Sequence, residues 1–366
     1  MYFCFLWLYL KSKHVPKRRK HMKKLTKVAV AAAAALCAAV TMGCKEKKAE
    51  TETQAPSAST EKKLITVGYA QVGAESDWRL ANTESFKSTF TEANGYKLIF
   101  DDAQQKQENQ IKAIRNFIQQ DVDYIVVAPV VETGWETVLQ EAKKAGIPVI
   151  LSDRQMKVSD DSLYLAWVGG NFLKEGQDGV KWLEAYLKSI GRENDTINIV
   201  DLQGTIGASA QIGRTQGLEE GLQTHPNWKL VAQQTGEFTQ AKGQEVMESI
   251  LKSTPQIDVV YAENDNMAWG AIDAIKAAGK VPGKDIIIIT FDAVKESFNR
   301  MINGDEINCA VECNPLHGPR VAEIIQKLEN GGTLDSKIQY VTELVFDKNG
   351  VGNALKAADE LPNRKY

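Results

Sequence analysis

Side chains with strong hydrogen-bonding capacity follow nearly every apolar, β-like segment of this sequence. They are carboxylates, carboxamides and guanidinium groups, and no nucleophile stands out among them. Such a set favours the binding of a polar ligand over covalent chemistry. The groups fall at residues 75–79, 101–102, 153–154, 203–205, 263–265 and 292.

These groups suit a ligand that carries many hydroxyl groups. A hydroxyl both donates and accepts hydrogen bonds, so its burial costs free energy unless protein groups replace the lost water. Carboxylates, amides and guanidinium groups bridge neighbouring hydroxyls, and hydrogen bonds to charged groups contribute ~1.5–3 kcal/mol each. Trp78 offers an aromatic surface for the apolar C–H face of a sugar ring. The sequence therefore predicts a sugar-binding site.

Motifs for other chemistries are missing from the sequence. Residues 68–73 do not form the G-x-G-x-x-G pattern and no G-x-x-x-x-G-K-[ST] pattern occurs, so no phosphate-binding loop is indicated. Only His225 and His317 follow Cys44, too few for a His-based triad or a zinc site. Residues 347–350 begin like a calcium loop but lack its distal acid, and they indicate a turn. We expect no metal, no cofactor and no catalytic residue.

The elements that must position the polar groups are alternating strands and helices, the pattern of a parallel α/β protein. The unbroken apolar segment at residues 124–128 indicates a strand that is covered on both faces. Just before it, Ile111, Ile114, Phe117 and Ile118 share one face of a helix. The other strands of this half are expected at residues 64–69, 97–100 and 147–151.

The same alternation restarts in the second half of the chain, which predicts two similar lobes that each contain a parallel sheet. Ligands bind beyond the carboxyl ends of parallel strands, where the polar groups fall. A strand at residues 338–346, residues 307–313 and a helix through residues 321–328 would let the chain recross between the lobes. Strands are expected at residues 197–202, 228–232, 257–262 and 286–291, with helices starting near residues 208, 239, 266 and 294.

Several candidates also have a purely structural interpretation. Trp78 could cap a core, and Arg214 lies on a helix expected at residues 208–222, where an exposed ion pair is the ordinary role. Neither capping nor surface ion pairs explain why Trp78, Arg79 and Arg154 arrive at the same edge of a sheet. Helix capping, a common use of Asp and Asn, is the structural interpretation of Asn264, Asp265 and Asp292.

The N-terminal region is typical of a secretory signal. After Met22, a basic stretch precedes an Ala-rich apolar run at residues 28–40, which is short for a membrane span of ~20 strongly apolar residues. Small residues then lead into Cys44, so we expect a lipoprotein signal in which Cys44 is lipidated and becomes the mature N-terminus. A plain secretion signal is the alternative. Residues 1–21 are interpreted as upstream sequence from a wrong start, with an extra apolar anchor as the alternative.

A polar tether is expected between the signal and the folded part of the chain. Residues 45–63 contain no large apolar side chain, so they cannot join a core, and with Cys44 they form an expected disordered segment at residues 44–63. A random coil of that length spans roughly 24 Å on average. It would hold a domain near a membrane and still let it tumble.

The charge balance and the cysteines restrict the partners further. Beyond residue 43 the chain has 35 Lys and Arg against 47 Asp and Glu, a formal net charge of about −12. An acidic protein is a poor partner for nucleic acid, whose affinity comes largely from neutralised phosphates. Cys309 and Cys313 are four positions apart, an awkward spacing for a disulfide within one strand, and we interpret them as two thiols.

Segments distributed over residues 64–330 resemble a known family. This is the pentose/hexose family of periplasmic binding proteins, the type I solute-binding proteins of ABC transporters, and the likeness is strongest to its galactofuranose-binding members. The Gln-rich segment and the segment at 202–209 are the most specific. The likeness is carried by VGYAQVG at residues 67–73, ESDWR at 75–79, QQKQENQ at 104–110, APVVETGW at 128–135, DR at 153–154, LQGTIGAS at 202–209 and YAENDNM at 261–267.

The resemblance implies an α/β fold of periplasmic binding protein type I, with two similar Rossmann-like lobes joined by a three-stranded hinge. It implies that the lobes close on one sugar. A loose match at residues 312–315 is left out of the expected site, and the likeness thins from residue 334. The binding positions carry over to Glu75, Ser76, Trp78, Arg79, Asp153, Arg154, Arg214, Asn264 and Asp292.

The prediction is an exported, membrane-anchored and monomeric receptor of an ABC importer, which binds a galactofuranose-like monosaccharide and presents it to a membrane permease. A sensor that presents its sugar to a chemoreceptor or sensor kinase is the alternative. A glycoside-acting enzyme with Asp153 and Asp292 as its two carboxylates is a remote one, because flanking arginines would lower their pKa values. The expected divisions are 1–43 for the upstream residues and signal, 44–63 for the tether, 64–168 with about 315–338 for the N-terminal lobe, and 169–314 with about 339–366 for the C-terminal lobe.

Overall fold

The computed structural model describes residues 63–366. The predicted signal, Cys44 and residues 44–62 of the predicted tether lie outside the described residues. Among the helices of residues 63–366, none is both long and apolar enough to span a bilayer.

Strands and helices alternate along the described chain, as the sequence predicts. The strands are Ile65–Gln71 (β1), Tyr96–Asp102 (β2), Tyr124–Val127 (β3), Val149–Ser152 (β4), Ala166–Gly169 (β5), Ile197–Gln203 (β6), Trp228–Thr235 (β7), Val259–Ala262 (β8), Ile287–Asp292 (β9), Cys309–Glu312 (β10), Ile338–Tyr340 (β11), Val345–Asp347 (β12) and Leu355–Lys356 (β13). The α-helices are Asp77–Thr89 (α1), Gln107–Gln119 (α2), Glu136–Ala145 (α3), Phe172–Ser189 (α4), Ser209–Thr224 (α5), Gln240–Ser253 (α6), Asp265–Ala277 (α7), Lys295–Gly304 (α8), Gly318–Glu329 (α9) and Ala357–Glu360 (α10).

The strands form two sheets of related topology. The first has the order β11-β5-β4-β3-β1-β2 and the second the order β13-β12-β10-β9-β8-β6-β7. Every pairing is parallel except that of β10 with β12. All residues of β3 and β8 are buried, since helices cover both faces of these central strands. We call the unit around the first sheet the first lobe and the unit around the second sheet the second lobe.

The chain passes between the lobes three times. The connections are residues 170–171 between β5 and α4, residues 313–317 between β10 and α9, and residues 341–344 between β11 and β12. The prediction of one strand at residues 338–346 is wrong, because its two ends pair with β5 and β10, which belong to different sheets. The four residues between them cross the hinge instead.

Two helix N-caps lie at the sheet edges where the polar groups are found. The hydroxyl of Ser76 caps α1 by accepting a hydrogen bond from the Arg79 N–H at 3.1 Å, and the side chain of Asn264 caps α7 by accepting one from the Met267 N–H at 2.9 Å. Each cap fixes where its helix begins relative to the strand before it. The first turns of both helices are thereby held at the carboxyl ends of their sheets.

Cys309 and Cys313 are both buried and unpaired with each other. The prediction of two thiols is confirmed.

Candidate ligand-binding site

The side chains singled out from the sequence line one cavity between the two lobes. The empty space that they enclose, including its opening to solvent, is about 280 Å³. The first lobe contributes Glu75, Ser76, Trp78, Arg79, Asp153 and Arg154, and the second contributes Arg214, Asn264 and Asp292. The structure thus brings all nine together.

In the first lobe, two arginines surround two carboxylates. Arg79 donates from Nη2 to Asp153 Oδ2 at 2.6 Å and from Nε to Glu75 Oε1 at 2.9 Å. Arg154 lies farther from the same groups, with Nη2 3.7 Å from Glu75 and Nε 3.9 Å from Asp153. All four side chains are at most 5% exposed. Residues that follow β1 and β4 are joined here because these strands end at one edge of the sheet.

Asp153 is held in an unusual conformation and in its charged form. Its φ of 64° places it in the left-handed region, which non-glycine residues seldom adopt and which recurs at functional sites. Burial alone would raise the pKa of Asp153, but the charges of Arg79 and Arg154 outweigh burial and lower it. Burial and the nearby Arg79 lower the pKa of Arg154 to about 10, so it remains a cation at neutral pH.

In the second lobe, one arginine serves two carboxylates. Arg214 on α5 donates from Nε to Glu175 Oε2 at 2.8 Å, and its Nη2 lies 3.6 Å from Asp292 Oδ1. Its Nη1 also donates to the backbone carbonyl of Glu263. Arg214 is 2% exposed, so the interpretation as a surface ion pair is wrong. Close packing of α4 on α5 buries it, since a Cβ on Gly176 would lie 2.7 Å from the Arg214 carbonyl oxygen.

Asp292 ends β9, which occupies the same place in the second sheet as β4 in the first. Its φ of 97° is also positive. Burial raises the pKa of Asp292 well above its ordinary value, although Arg214 opposes this shift. The expectation that flanking arginines lower the pKa values is therefore right for Asp153 and wrong for Asp292. The capping interpretation of Asp292 is also wrong, because Asp265 accepts the hydrogen bond from the Val294 N–H at the start of α8, at 2.7 Å.

Aromatic rings from both lobes line the cavity. Trp78 donates from Nε1 to the carbonyl oxygen of Cys313 at 2.6 Å. It also belongs to the hydrophobic core, so the structural interpretation of Trp78 and its place in the cavity both hold. From the second lobe comes Phe238, and the Arg154 guanidinium carbon lies 5.1 Å from its ring centroid. Asn264 donates to the Phe238 carbonyl at 3.0 Å, so it caps a helix and holds this loop at once.

Three lining residues were missed by the sequence analysis: Ala210, Phe238 and Cys313. Phe238 follows β7, which runs to Thr235 rather than to residue 232 as expected. The rule that ligands lie beyond strand ends would have found Phe238 if the end of this strand had been placed correctly. Cys313 lies in the loosely matching segment that was left out of the expected site.

Part of the hydrogen-bonding capacity in the cavity is unused. Glu75 Oε2 is buried and has no hydrogen-bond partner within residues 63–366. The carboxyl group of Asp292 receives no hydrogen bond from another described residue. In the Arg154 side chain, only Nη1 donates a hydrogen bond within the described part of the chain, to the carbonyl of Val130 at 2.9 Å. Buried polar groups without partners are costly, so these atoms fit a ligand whose hydroxyls donate to the carboxylates and accept from the guanidinium.

Comparisons with known proteins agree with this geometry. The family model described as a periplasmic binding protein domain matches residues 67–333. The chain belongs to the periplasmic binding protein family. This confirms the predicted fold class of two α/β lobes, the resemblance stated from the sequence, and the prediction of a binding protein instead of an enzyme. Membership also implies export to the periplasm.

Individual relatives are similar over most of their length. The galactofuranose-binding protein YtfQ of Escherichia coli (strain K12) is 46% identical over 285 residues, which cover 77% of this chain and 87% of that protein. A structure from Mycobacterium smegmatis in complex with β-D-fucofuranose is 47% identical, with a TM-score of 0.77 and coverage of 82% and 95%. The binding protein of the arabinose ABC transporter from Shewanella sp. ANA-3, bound to α- and β-L-arabinofuranose, is 45% identical, with a TM-score of 0.75 and the same coverage.

Proposed function

We propose that this protein is the sugar receptor of an ABC importer and binds one monosaccharide in its furanose form between the two lobes. The observation that carries the proposal is the cavity between the lobes, in which charged groups of both lobes keep unused hydrogen-bonding capacity. Relatives whose names or complexes specify galactofuranose, fucofuranose and arabinofuranose support the furanose form. Each of the nine predicted residues is proposed as a ligand contact.

The lobes are proposed to work as a clamshell that closes on the sugar. In the structure they already touch across the cleft: Asn266 donates to Asp77 at 2.7 Å, and the Glu132 N–H donates to the carbonyl of Gly207 at 2.9 Å. A sugar bound to one lobe would recruit the other through its remaining hydroxyls and shift the equilibrium towards this closed form. The membership of the strands in the two sheets supports the lobe boundaries given above.

Calorimetry with D-galactose, D-fucose, L-arabinose and D-ribose tests the proposal. One sugar is expected to bind with a stoichiometry of one, and carbon-13 NMR of the labelled sugar should show enrichment of its furanose form on the protein. For substitutions of Asp153, Asp102→Asn is the matched control. Asp102 also lies at the carboxyl end of a strand of the first lobe, but it is exposed and does not line the cavity. Stoichiometric binding of only the pyranose form would reject the furanose assignment, and no binding of any sugar would reject the receptor.

The membrane anchor is a separate part of the proposal. Lipidation of Cys44 would tether the receptor beside its permease, and a Cys44→Ser variant is expected to lose incorporation of labelled palmitate and to move from the membrane fraction to the soluble one. Equal labelling of both forms would contradict lipidation at Cys44. The proposed monomeric state is checked by light scattering on residues 63–366, the part that forms one compact unit.

A further inference from the structure

The three hinge connections converge on a pair of carboxyl groups outside the proposed sugar contacts. Glu175 lies in the first turn of α4, just after the first connection, and Glu343 lies in the third. One oxygen of each and the Sγ of Cys313, in the second connection, lie within 4.8 Å of one another. A Cβ on Gly170 in the first connection would lie 2.5 Å from Glu175 Oε1 and would overlap Glu343. A larger residue at position 170 would have to displace the two carboxyls.

Each carboxyl group is attached to a different part of the molecule. Glu175 accepts through Oε2 from Arg214, which lines the sugar cavity, at 2.8 Å. Glu343 accepts through Oε1 from the N–H of Asn314 in the second connection at 3.2 Å. The other oxygen of Glu175 is buried and has no donor in the described part of the chain. Because it faces the Glu343 carboxyl, a proton on that group would give it a donor.

The electrostatic surroundings favour one proton on the pair. Burial raises the pKa of Glu175 although Arg214 opposes the shift, and burial together with the charge of Glu175 raises the pKa of Glu343 well above its ordinary value. The other charged or titratable groups near the pair are Asp153 after β4, Asp292 at the end of β9 and the Cys313 thiol. Lys174 and Asp178 of α4 line a cavity together with both glutamates. A metal ion fits this place poorly, because Arg214 occupies one carboxylate and burial raises the pKa of the thiol.

We propose that Glu175 and Glu343 hold one proton between them, and that the protonated pair positions Arg214 for sugar binding while joining the hinge connections in the closed form. Glu175 and Glu343 are then positioning residues that need not touch the sugar. The proposal rests on the proposed function, because its main effect is on sugar affinity.

The proposed shared proton predicts how sugar affinity depends on pH. The pair binds its proton more tightly in the closed form, so affinity is highest at low pH and falls as pH rises through the closed-form pKa of the pair. For one proton the loss is at most about tenfold per pH unit. Once the proton is lost, two adjacent anions compete for Arg214.

A Glu343→Gln variant separates this role from a merely structural one. The amide keeps a donor towards Glu175 and an acceptor for the Asn314 N–H, but it does not titrate. Affinity in E343Q is therefore expected to match the wild type at low pH and to stay constant as pH rises. At low pH, Glu343→Ala should bind the sugar at least about tenfold more weakly than the wild type, because it leaves Glu175 Oε1 without a donor. Asp101→Asn, at a carboxyl with a raised pKa remote from the hinge, should keep the wild-type profile.

The experiment is calorimetric titration of each variant with the sugar that binds the wild type, from pH 5 to pH 9, and thermal unfolding without sugar over the same range. If sugar affinity and thermal stability depend on pH in E343Q as they do in the wild type, the proposal of a shared proton is wrong. If the wild type binds no sugar, the proposed function fails. The unfolding profiles then test the shared proton by themselves: the thermal midpoint of the wild type should fall with rising pH relative to that of E343Q.

Discussion

Asp153 and Asp292 occupy equivalent places in the two lobes, yet their carboxyl groups differ in charge. Asp153 directly follows β4 and Asp292 ends β9, which are equivalent strands of the two sheets, and both residues have a positive φ. Each lies near an arginine from the helix after β1 or β6, the strands beside the edge strands β2 and β7. Asp153 has Arg79 at 2.6 Å and Arg154 nearby, and its pKa is lowered. Asp292 has only Arg214 at 3.6 Å, and its pKa is raised.

The comparison shows that equivalent backbone positions in the two lobes do not give their carboxyl groups the same ionisation state. Burial raises the pKa of both carboxyls, and the balance depends on how many cations lie close enough to oppose it. The first lobe supplies two arginines for Asp153 and Glu75, whereas the second supplies one that Asp292 shares with Glu175. We therefore expect the first lobe to offer the sugar a carboxylate and the second a neutral carboxyl.

The largest effect is expected when Arg214 is removed. Arg214→Ala leaves Glu175 without its buried counter-ion, and the loss of one partner of a buried pair typically costs ~3–5 kcal/mol of stability. Arg79→Ala should cost less, because Arg154 remains within 4 Å of both carboxylates of the first lobe. Urea unfolding at pH 7 measures both variants. Equal losses of unfolding free energy in the two variants would contradict the inference that Arg154 partly replaces Arg79, whereas no second cation among the described residues replaces Arg214.

Asparagine at the two equivalent positions gives the next largest contrast. Asp153→Asn removes a charged acceptor and should weaken sugar binding by ~1.5–3 kcal/mol, roughly ten- to 150-fold. Asp292→Asn exchanges one neutral group for another of the same shape, so its loss should stay below about tenfold. Calorimetry at pH 7 with the cognate sugar checks this order. A greater loss in D292N would mean that Asp292 binds the sugar as an anion.

The aromatic sides of the cavity should respond more weakly. Gly204→Ala places a Cβ against the Phe238 ring and must shift it, an overpacking change of roughly 1–3 kcal/mol. Trp78→Phe mainly removes the hydrogen bond to the Cys313 carbonyl, ~0.5–1.5 kcal/mol. Sugar affinity and the thermal midpoint are measured for both variants. Gly179→Ala is the control for a glycine whose added Cβ makes only ordinary contacts, the nearest at 3.4 Å. A G204A variant with wild-type affinity would place Phe238 outside the sugar contacts.

The smallest expected effect is on the pH dependence of stability, and it has opposite signs in the two lobes. The lowered pKa of Asp153 stabilises the fold above pH 3.8, and this contribution is lost as pH falls through the folded-state pKa. The raised pKa of Asp292 stabilises the fold only below pH 3.8, and this contribution is lost as pH rises.

At pH 7, D153N should accordingly be less stable than the wild type, and D292N equally or more stable, with differences on the order of 1 kcal/mol. Urea unfolding at several pH values between 3 and 8 provides the test. Stability differences of the same sign in both variants would contradict the assigned ionisation states.

Much of the fold could be predicted because its strands are apolar and its helices amphipathic. The sequences of β3 and β8 are continuous apolar segments, and the structure places these strands in the interior of their sheets. β7 was placed three residues too short, because it is an edge strand whose last residues are partly exposed and polar, without the apolar pattern that marks a strand. Because of that error, Phe238 was not included in the expected site.

The burial of Arg214 could not be predicted from its helix. α5 has no clear apolar face, and its buried side is rich in small residues such as Gly213 and Gly217. These glycines let α4 approach so closely that a Cβ on either would lie 2.6 Å from an atom of α4. Tight contact between two helices, and not an apolar stripe, buries the guanidinium.

The sequence by itself determined which chemical groups stand at the ends of most strands, because the positions of strands and turns along the chain follow from local patterns of apolar and polar residues. Only the tertiary structure decided how those groups are charged and paired. Arg79 and Asp153 lie 74 positions apart, and Glu175 and Arg214 lie 39 apart, and each pair meets only when the sheet edges and helices pack. Because ionisation depends on burial and on charges within a few ångströms, it is a property of that packing and not of any segment of the chain.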